Sequence, residues 1–234
     1  VLLQKLSDRQ ITAAITKCCS VQQLLQLLQE HISSMNATSL SAAIVRLSKL
    51  KCTEQQLYAD CLQRFSTFAP ISTKSRQLSN VIYALCTAPT RLTQQHRAAV
   101  RQLLPMFIAA MSAATQQGIS IVLYGLAFSN QQLEAGQLQQ LLAAFVGMRQ
   151  HAQPQAVSNT LWAVAAMGQQ VPTEQLQQLL DAFVAELQQA VPQSASNVLL
   201  ACAKLGFLPQ QLLAAAGLAV LLAADTPQGL ANAA

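Results

Sequence analysis

Thr38, Arg46, Lys49, Arg76, Asn80, Gln117, Gln155, Asn159, Gln193, Asn197 and Lys204 stand at recurring positions where their chemistry could act together. An Asn or Gln amide offers a donor beside an acceptor, the pairing that the edge of a nucleobase requires. Arg46, Lys49, Arg76 and Lys204 are the cations that could hold phosphate. Covalent chemistry finds less to work with. Serines recur at 41, 79, 120, 158 and 196, but no base accompanies them, so they read as packing residues whose hydroxyls bond back to their own helix. Cys18, Cys19, Cys52, Cys61, Cys86 and Cys202 form no C-x-x-C pair and read as reduced thiols acting as small core residues. His31, His96 and His151 show no ligand spacing to the cysteines or to one another, which argues against zinc and leaves all three as exposed helix-face histidines. No Gly-rich phosphate loop or paired carboxylate emerges. No catalytic residue, metal or cofactor is assigned.

The serines mark a phrase that comes back five times: SAAIVRLSK, SNVIYALCT, SIVLYGLAF, SNTLWAVAA and SNVLLACAK, at steps of 38, 41, 38 and 38 residues. A period in that range predicts stacked supersecondary units. The expected fold is all-α, a right-handed type of α-solenoid built of helix-turn-helix repeats of about 38 residues. Composition agrees: Leu, Ala and Gln dominate, and aromatics make up 5%. The Gln tracts could be low-complexity disorder, but Leu recurs within QQLLQLLQEHI and EQLQQLLDAFV at helical spacing.

First helices are expected near 37–50, 75–87, 116–128, 154–167 and 192–205, and second helices near 54–68, 93–112, 132–150, 173–190 and 208–223. Together they make one helical-repeat domain with units at about 37–70, 75–112, 116–150, 154–190 and 192–223. An irregular front unit is expected at about 8–34, and a truncated further repeat at 227–234. Pro154 suits a first helical position and Gly168 a C-terminal cap. The chain opens at Val1, and Leu230-Ala231-Asn232 resembles the start of another phrase, so it is expected to be a segment of a longer array. The most apolar stretch, Leu212–Ala224, is too short to span a membrane, and no targeting peptide is visible.

With the serine counted as position 0, columns emerge. Position +3 (Ile44, Ile82, Leu123, Leu161, Leu199) and position +6 (Leu47, Leu85, Leu126, Val164, Cys202) are core. Position +7 is small throughout, which allows neighbouring helices to approach. Position +4 (Val45, Tyr83, Tyr124, Trp162, Leu200) is expected to fill the space between repeats and not to stack on a ligand. Positions −3, +1, +5 and +8 remain as an outward face that varies between polar types. A fixed scaffold with a varying polar face suits recognition of one base per unit. The alternatives are a merely solvated face, and asparagines that bond to backbone in the next unit and hold the stack together.

Charge is uneven. Residues 1–110 hold 12 Lys/Arg against 4 Asp/Glu and residues 111–234 hold 2 against 5, so the net +5 divides into +8 and −3. The first half could attract a polyanion; random drift among few charges is the other reading.

The phrases from Ser158 to Ala165 and from Ser196 to Gly206 resemble the SNxLWALAKLG signature of the octotricopeptide-repeat proteins of green algae, relatives of the RAP-domain and FAST-kinase-like proteins. The likeness covers about Leu40 to Leu208. The second helices depart from that family's Pro-Pro-Pro-Glu-Trp opening: Val171-Pro172-Thr173-Glu174-Gln175 keeps one proline and the glutamate. No RAP domain is present. The resemblance implies a chloroplast or mitochondrial protein that binds single-stranded RNA on the inner helix face. Its tasks would be transcript stabilisation, processing, splicing or translation regulation, with other RNA-metabolism proteins as possible partners. It implies neither membrane nor metal. A protein-binding adaptor is the competing reading, favoured locally by Ile121 and Phe128 on the candidate face.

Overall fold

The structure, a computed structural model, describes residues 6–68, 73–89 and 93–207. Among the described residues there are eleven α-helices, three short 3-10 turns and no strand. The helices are α1 (Asp8–Lys17), α2 (Val21–His31), α3 (Ala37–Lys49), α4 (Gln55–Ser66), α5 (Ser75–Cys86), α6 (Gln94–Ala109), α7 (Gln116–Phe128), α8 (Ala135–Gly147), α9 (Pro154–Met167), α10 (Thr173–Ala185) and α11 (Pro192–Lys204). The four described second helices after the front unit end short of expectation, at Ser66, Ala109, Gly147 and Ala185, and one-turn 3-10 segments follow the last three at Met111–Ala113, Arg149–His151 and Leu187–Gln189. The helix expected at 208–223, the apolar stretch 212–224 and the fragment at 227–234 lie outside the described residues. No helix among the described residues is long and apolar enough to cross a membrane.

Local signals set these boundaries. Ser7, Ser20, Asn36, Thr93 and Thr115 each sit before a helix and accept a hydrogen bond from a backbone N–H in its first turn, satisfying a donor that has no partner within the helix. Pro154 and Pro192 start α9 and α11. The far ends share a device. Lys51, Asn130, Gly168 and Gly206, each ten residues after its serine, have φ of 54°, 52°, 63° and 65°. The residue after three of them donates back five positions: Cys52 N to Leu47 O at 3.0 Å, Gln131 N to Leu126 O at 2.9 Å and Phe207 N to Cys202 O at 2.9 Å. That left-handed residue closes the helix and reverses the chain towards the second helix.

The chain divides into two compact units, Val1–Ala113 and Ala114–Ala234. In the first, α1, α3 and α5 lie side by side, with α2, α4 and α6 each packed on its own partner. In the second, α7, α9 and α11 lie side by side, backed by α8 and α10. Each unit is thus a stack of helical hairpins with α-solenoid character. Its core is made of the expected columns: Ile44, Ile82, Leu123 and Leu161 at +3, and the whole of +6, are buried. Leu199 is half-buried. The second helices add a column of their own, Phe65, Phe107, Phe145 and Phe183, all fully buried.

Candidate functional site

A helix turns about 100° per residue. Positions −3, +1, +4 and +8 therefore fall within an arc of about 60°, with +5 about 40° outside it. Burial follows that geometry. At −3, Thr38, Arg76, Gln117, Gln155 and Gln193 are all exposed, and at +1, Asn80, Asn159 and Asn197 are half-buried. At +8, Lys49, Phe128 and Lys204 are exposed. The +5 column was expected on this face and is not: Ala84, Gly125, Ala163 and Ala201 are buried. They sit where adjacent first helices approach, and only small side chains fit there. Tyr124 and Trp162 meet between adjacent rungs, the inter-repeat place expected of the +4 column, but Val45, Tyr83, Tyr124, Trp162 and Leu200 are half-buried and so also border the stripe. The signal for this was present in the spacing, since +4 stands seven residues, two full turns, beyond −3.

Arg46 is the +5 residue of its unit and follows its column inward. It is half-buried, and its Nε donates to the carbonyl oxygen of Cys18 at 2.7 Å, with Nη2 donating to the same oxygen. Cys18 caps the C-terminus of α1, where backbone carbonyls gather partial negative charge. Arg46 thus clamps α1 to α3 across the irregular front unit, where later units have Ala or Gly. Lys49, three residues on, points to solvent, and neither Lys49 nor Arg76 forms an ion pair among the described residues.

The serines do more than pack. Ser79, Ser120 and Ser196 donate to carbonyls of their own helices, as expected. Ser41 and Ser158 instead reach the next rung, donating to Gln77 O at 3.4 Å and Ser194 O at 3.1 Å. Both acceptors are at position −2 of the following repeat, so the same register recurs in each unit. The front pair repeats it: the hydroxyls of Thr12 and Ser39 lie 2.8 Å apart. That alignment makes Thr12 the front unit's position 0 and places exposed Arg9 at its −3, a cation the sequence reading passed over. Gln77 Nε2 also donates to Thr38 Oγ1 at 2.7 Å, linking two rungs along the stripe.

The asparagines do not hold the stack. No hydrogen-bond partner engages the amides of Asn80, Asn159 and Asn197 among the described residues, and the same is true of Gln117, Gln155 and Gln193. Their donors and acceptors face water at the stripe. In the second unit aromatic rings join them. The ring centroids of Tyr124 and Trp162 are 4.8 Å apart with planes at 32°, and those of Tyr124 and Phe128 are 6.1 Å apart with planes at 14°. Phe128 is 56% exposed.

Carboxylates avoid the stripe. Helices α3, α5, α7, α9 and α11 contain no Asp or Glu at all. Apart from Asp8 on α1, the acids among the described residues lie on the second helices or their caps: Glu30, Glu54, Asp60, Glu134, Glu174, Asp181 and Glu186.

Other groups read as chemical candidates lie elsewhere. His96, expected to be exposed, is 1% exposed. Its ring meets Tyr58 edge-on at 5.0 Å, and Nδ1, Nε2 and Tyr58 Oη are buried without hydrogen-bond partners among the described residues. Burial pushes the imidazole pKa down and the Tyr58 phenol up. His96 falls on the inner side of α6 because Val100, Leu103 and Phe107 share its face at helical spacing. Five cysteines are buried and Cys19 is exposed; burial raises the thiols of Cys61 and Cys202 to about 12 and about 11. No group of three or more His, Cys, Asp or Glu side chains among the described residues could hold a metal ion. No protein-family model matches the chain, and no curated protein matches it.

Proposed function

We propose that the chain is an RNA-binding segment of an α-solenoid with repeats of about 38 residues, wound in the right-handed sense, and that it takes single-stranded RNA along the stripe of its first helices. The observation that carries this reading is the stripe itself. In each unit it reaches solvent, lies on first helices that contain no carboxylate (α3 and α5 in one, α7, α9 and α11 in the other), and presents Asn and Gln amides that have no hydrogen-bond partner among the described residues. A polyanion approaching it meets no like charge, and unpaired bases find amide donors and acceptors that only water engages. Arg9, Lys49 and Arg76 supply phosphate contacts in the first unit, and Lys204 in the second. The resemblance to octotricopeptide-repeat proteins supports a role in chloroplast or mitochondrial RNA metabolism, through binding and not catalysis.

An electrophoretic titration against pooled single-stranded RNA oligomers tests it. Binding should be retained in competition with duplex RNA, and Asn159→Ala with Asn197→Ala should change which oligomers are selected. Unchanged selection by a folded double variant would refute the assignment of base reading to these positions. Ile121 and Phe128 bring apolar surface to the same stripe, which favours a protein-binding adaptor as the second reading. That reading predicts no retarded RNA at low salt, and partner binding that added RNA does not disturb.

A further inference from the structure

Aromatic side chains in this molecule have a ready place in the core, the buried column Phe65, Phe107, Phe145 and Phe183. Tyr124, Phe128 and Trp162 are placed differently. They lie on the stripe of the second unit, on two adjacent rungs, close enough to form one π surface: 4.8 Å from Tyr124 to Trp162 and 6.1 Å from Tyr124 to Phe128. The Phe128 ring is nearly parallel to that of Tyr124, at 14°, and 56% exposed. Exposing a phenylalanine forgoes the burial that drives folding, so packing alone does not account for its position. Along α9, one turn before Trp162, stands the amide of Asn159, without a protein partner among the described residues. The ligand this surface fits has a flat face to stack, a polar edge to meet an amide, and no objection to a surface without carboxylates. An unpaired nucleobase on a phosphate backbone has all three; a paired base in a duplex has its faces already covered. An apolar peptide would use the rings but leave the amides unmatched.

We propose that Tyr124, Phe128 and Trp162 form a stacking platform for unpaired nucleobases, with Phe128 as its outermost ring and Asn159 reading the edge of a stacked base. This rests on the RNA-binding reading and adds to it a specific place and a specific contact. Trp162 is the only tryptophan of the chain, so its fluorescence reports on the platform alone. The test uses the full chain with a short oligoadenylate, and with an abasic ribose-phosphate strand of equal length as the control. Oligoadenylate should quench Trp162 emission at saturation, and the abasic strand should leave it unchanged. Phe128→Ala should weaken oligoadenylate binding about 5- to 150-fold, the range for losing one stacked base. Phe128→Tyr should restore binding, whereas Phe128→Leu, which keeps apolar bulk without a ring, should not. Exposure of the side chain makes these variants ones that fold, which circular dichroism checks. Oligoadenylate that is retarded on a gel while Trp162 emission stays constant, and while Phe128→Ala binds as tightly as the parent chain, would overturn the platform and leave RNA binding standing on phosphate and amide contacts. Failure of every strand to bind at low salt would overturn both.

Discussion

Arg46 and Lys49 lie three residues apart on α3 and look interchangeable as phosphate ligands until their surroundings are known; replacing each with Gln separates a structural cation from a binding one. Arg46→Gln removes the guanidinium that donates to Cys18 O from both Nε and Nη2. Both donors meet one oxygen, so the loss counts as one charge-assisted interaction, about 1.5–3 kcal/mol. At about 2–4 °C per kcal/mol for a chain of this size, the thermal midpoint should fall by about 3–12 °C. Lys49 is exposed, and Lys49→Gln should change stability by less than about 0.5 kcal/mol. RNA binding should reverse the order. Losing one phosphate contact on a single strand lowers the slope of log affinity against log salt by about 0.7, and that change should follow Lys49→Gln and not Arg46→Gln. The assay is a pair of measurements on each variant, a melt followed by circular dichroism and a salt series of RNA titrations. An Arg46→Gln chain that melts with the parent and loses the salt slope would show that the guanidinium works on the ligand and that its bond to α1 contributes nothing.

Two further predictions concern stability. His96 is buried and neutral, with its pKa pushed down by burial, so the unfolded chain binds more protons than the folded one as pH falls through the ordinary histidine range near 6.5. Stability should be fully present above that range and decline on acidification by up to about 1.4 kcal/mol per pH unit. His96→Leu should flatten this dependence and, by removing two unpartnered ring nitrogens, hold or raise stability at neutral pH; denaturant melts across pH 5 to 8 check it, and an unaltered slope in His96→Leu would refute it. Lys51 holds a left-handed backbone, φ 54°, that a side chain disfavours by about 1–2 kcal/mol. After the extra unfolded-state entropy of glycine is set against this, Lys51→Gly should stabilise by about 0.5–1 kcal/mol and Lys51→Val should destabilise, as read by chemical denaturation.

Much of this molecule was legible in one dimension. The serine phrase placed the five first helices, because each helix carries its own apolar columns and caps. Ile44, Ile82, Leu123 and Leu161 could be assigned to the core from those columns alone. The −3 and +1 residues could be assigned to the surface, since polar side chains that vary between units need no fixed neighbour.

What the tertiary structure decided was the two edges of the stripe. Helical geometry puts +4 and +5 about 100° apart, at opposite edges of the stripe, and how far a residue there meets water or a neighbour depends on the direction from which the next rung arrives. That direction set Trp162 of α9 against Tyr124 of α7, whose own helix carries Phe128 one turn on. It turned Arg46 inward onto a carbonyl 28 residues earlier in the chain. His96 shows the same limit: its type suggests a surface, but its position on α6 shares a face with Val100, Leu103 and Phe107, and the partner that closes over it, Tyr58, comes from another helix. Sequence specifies the helices because they depend on residues a few positions apart. Which side of a helix is covered depends on contacts between residues some 28 to 38 positions apart, and only the packed chain specifies those.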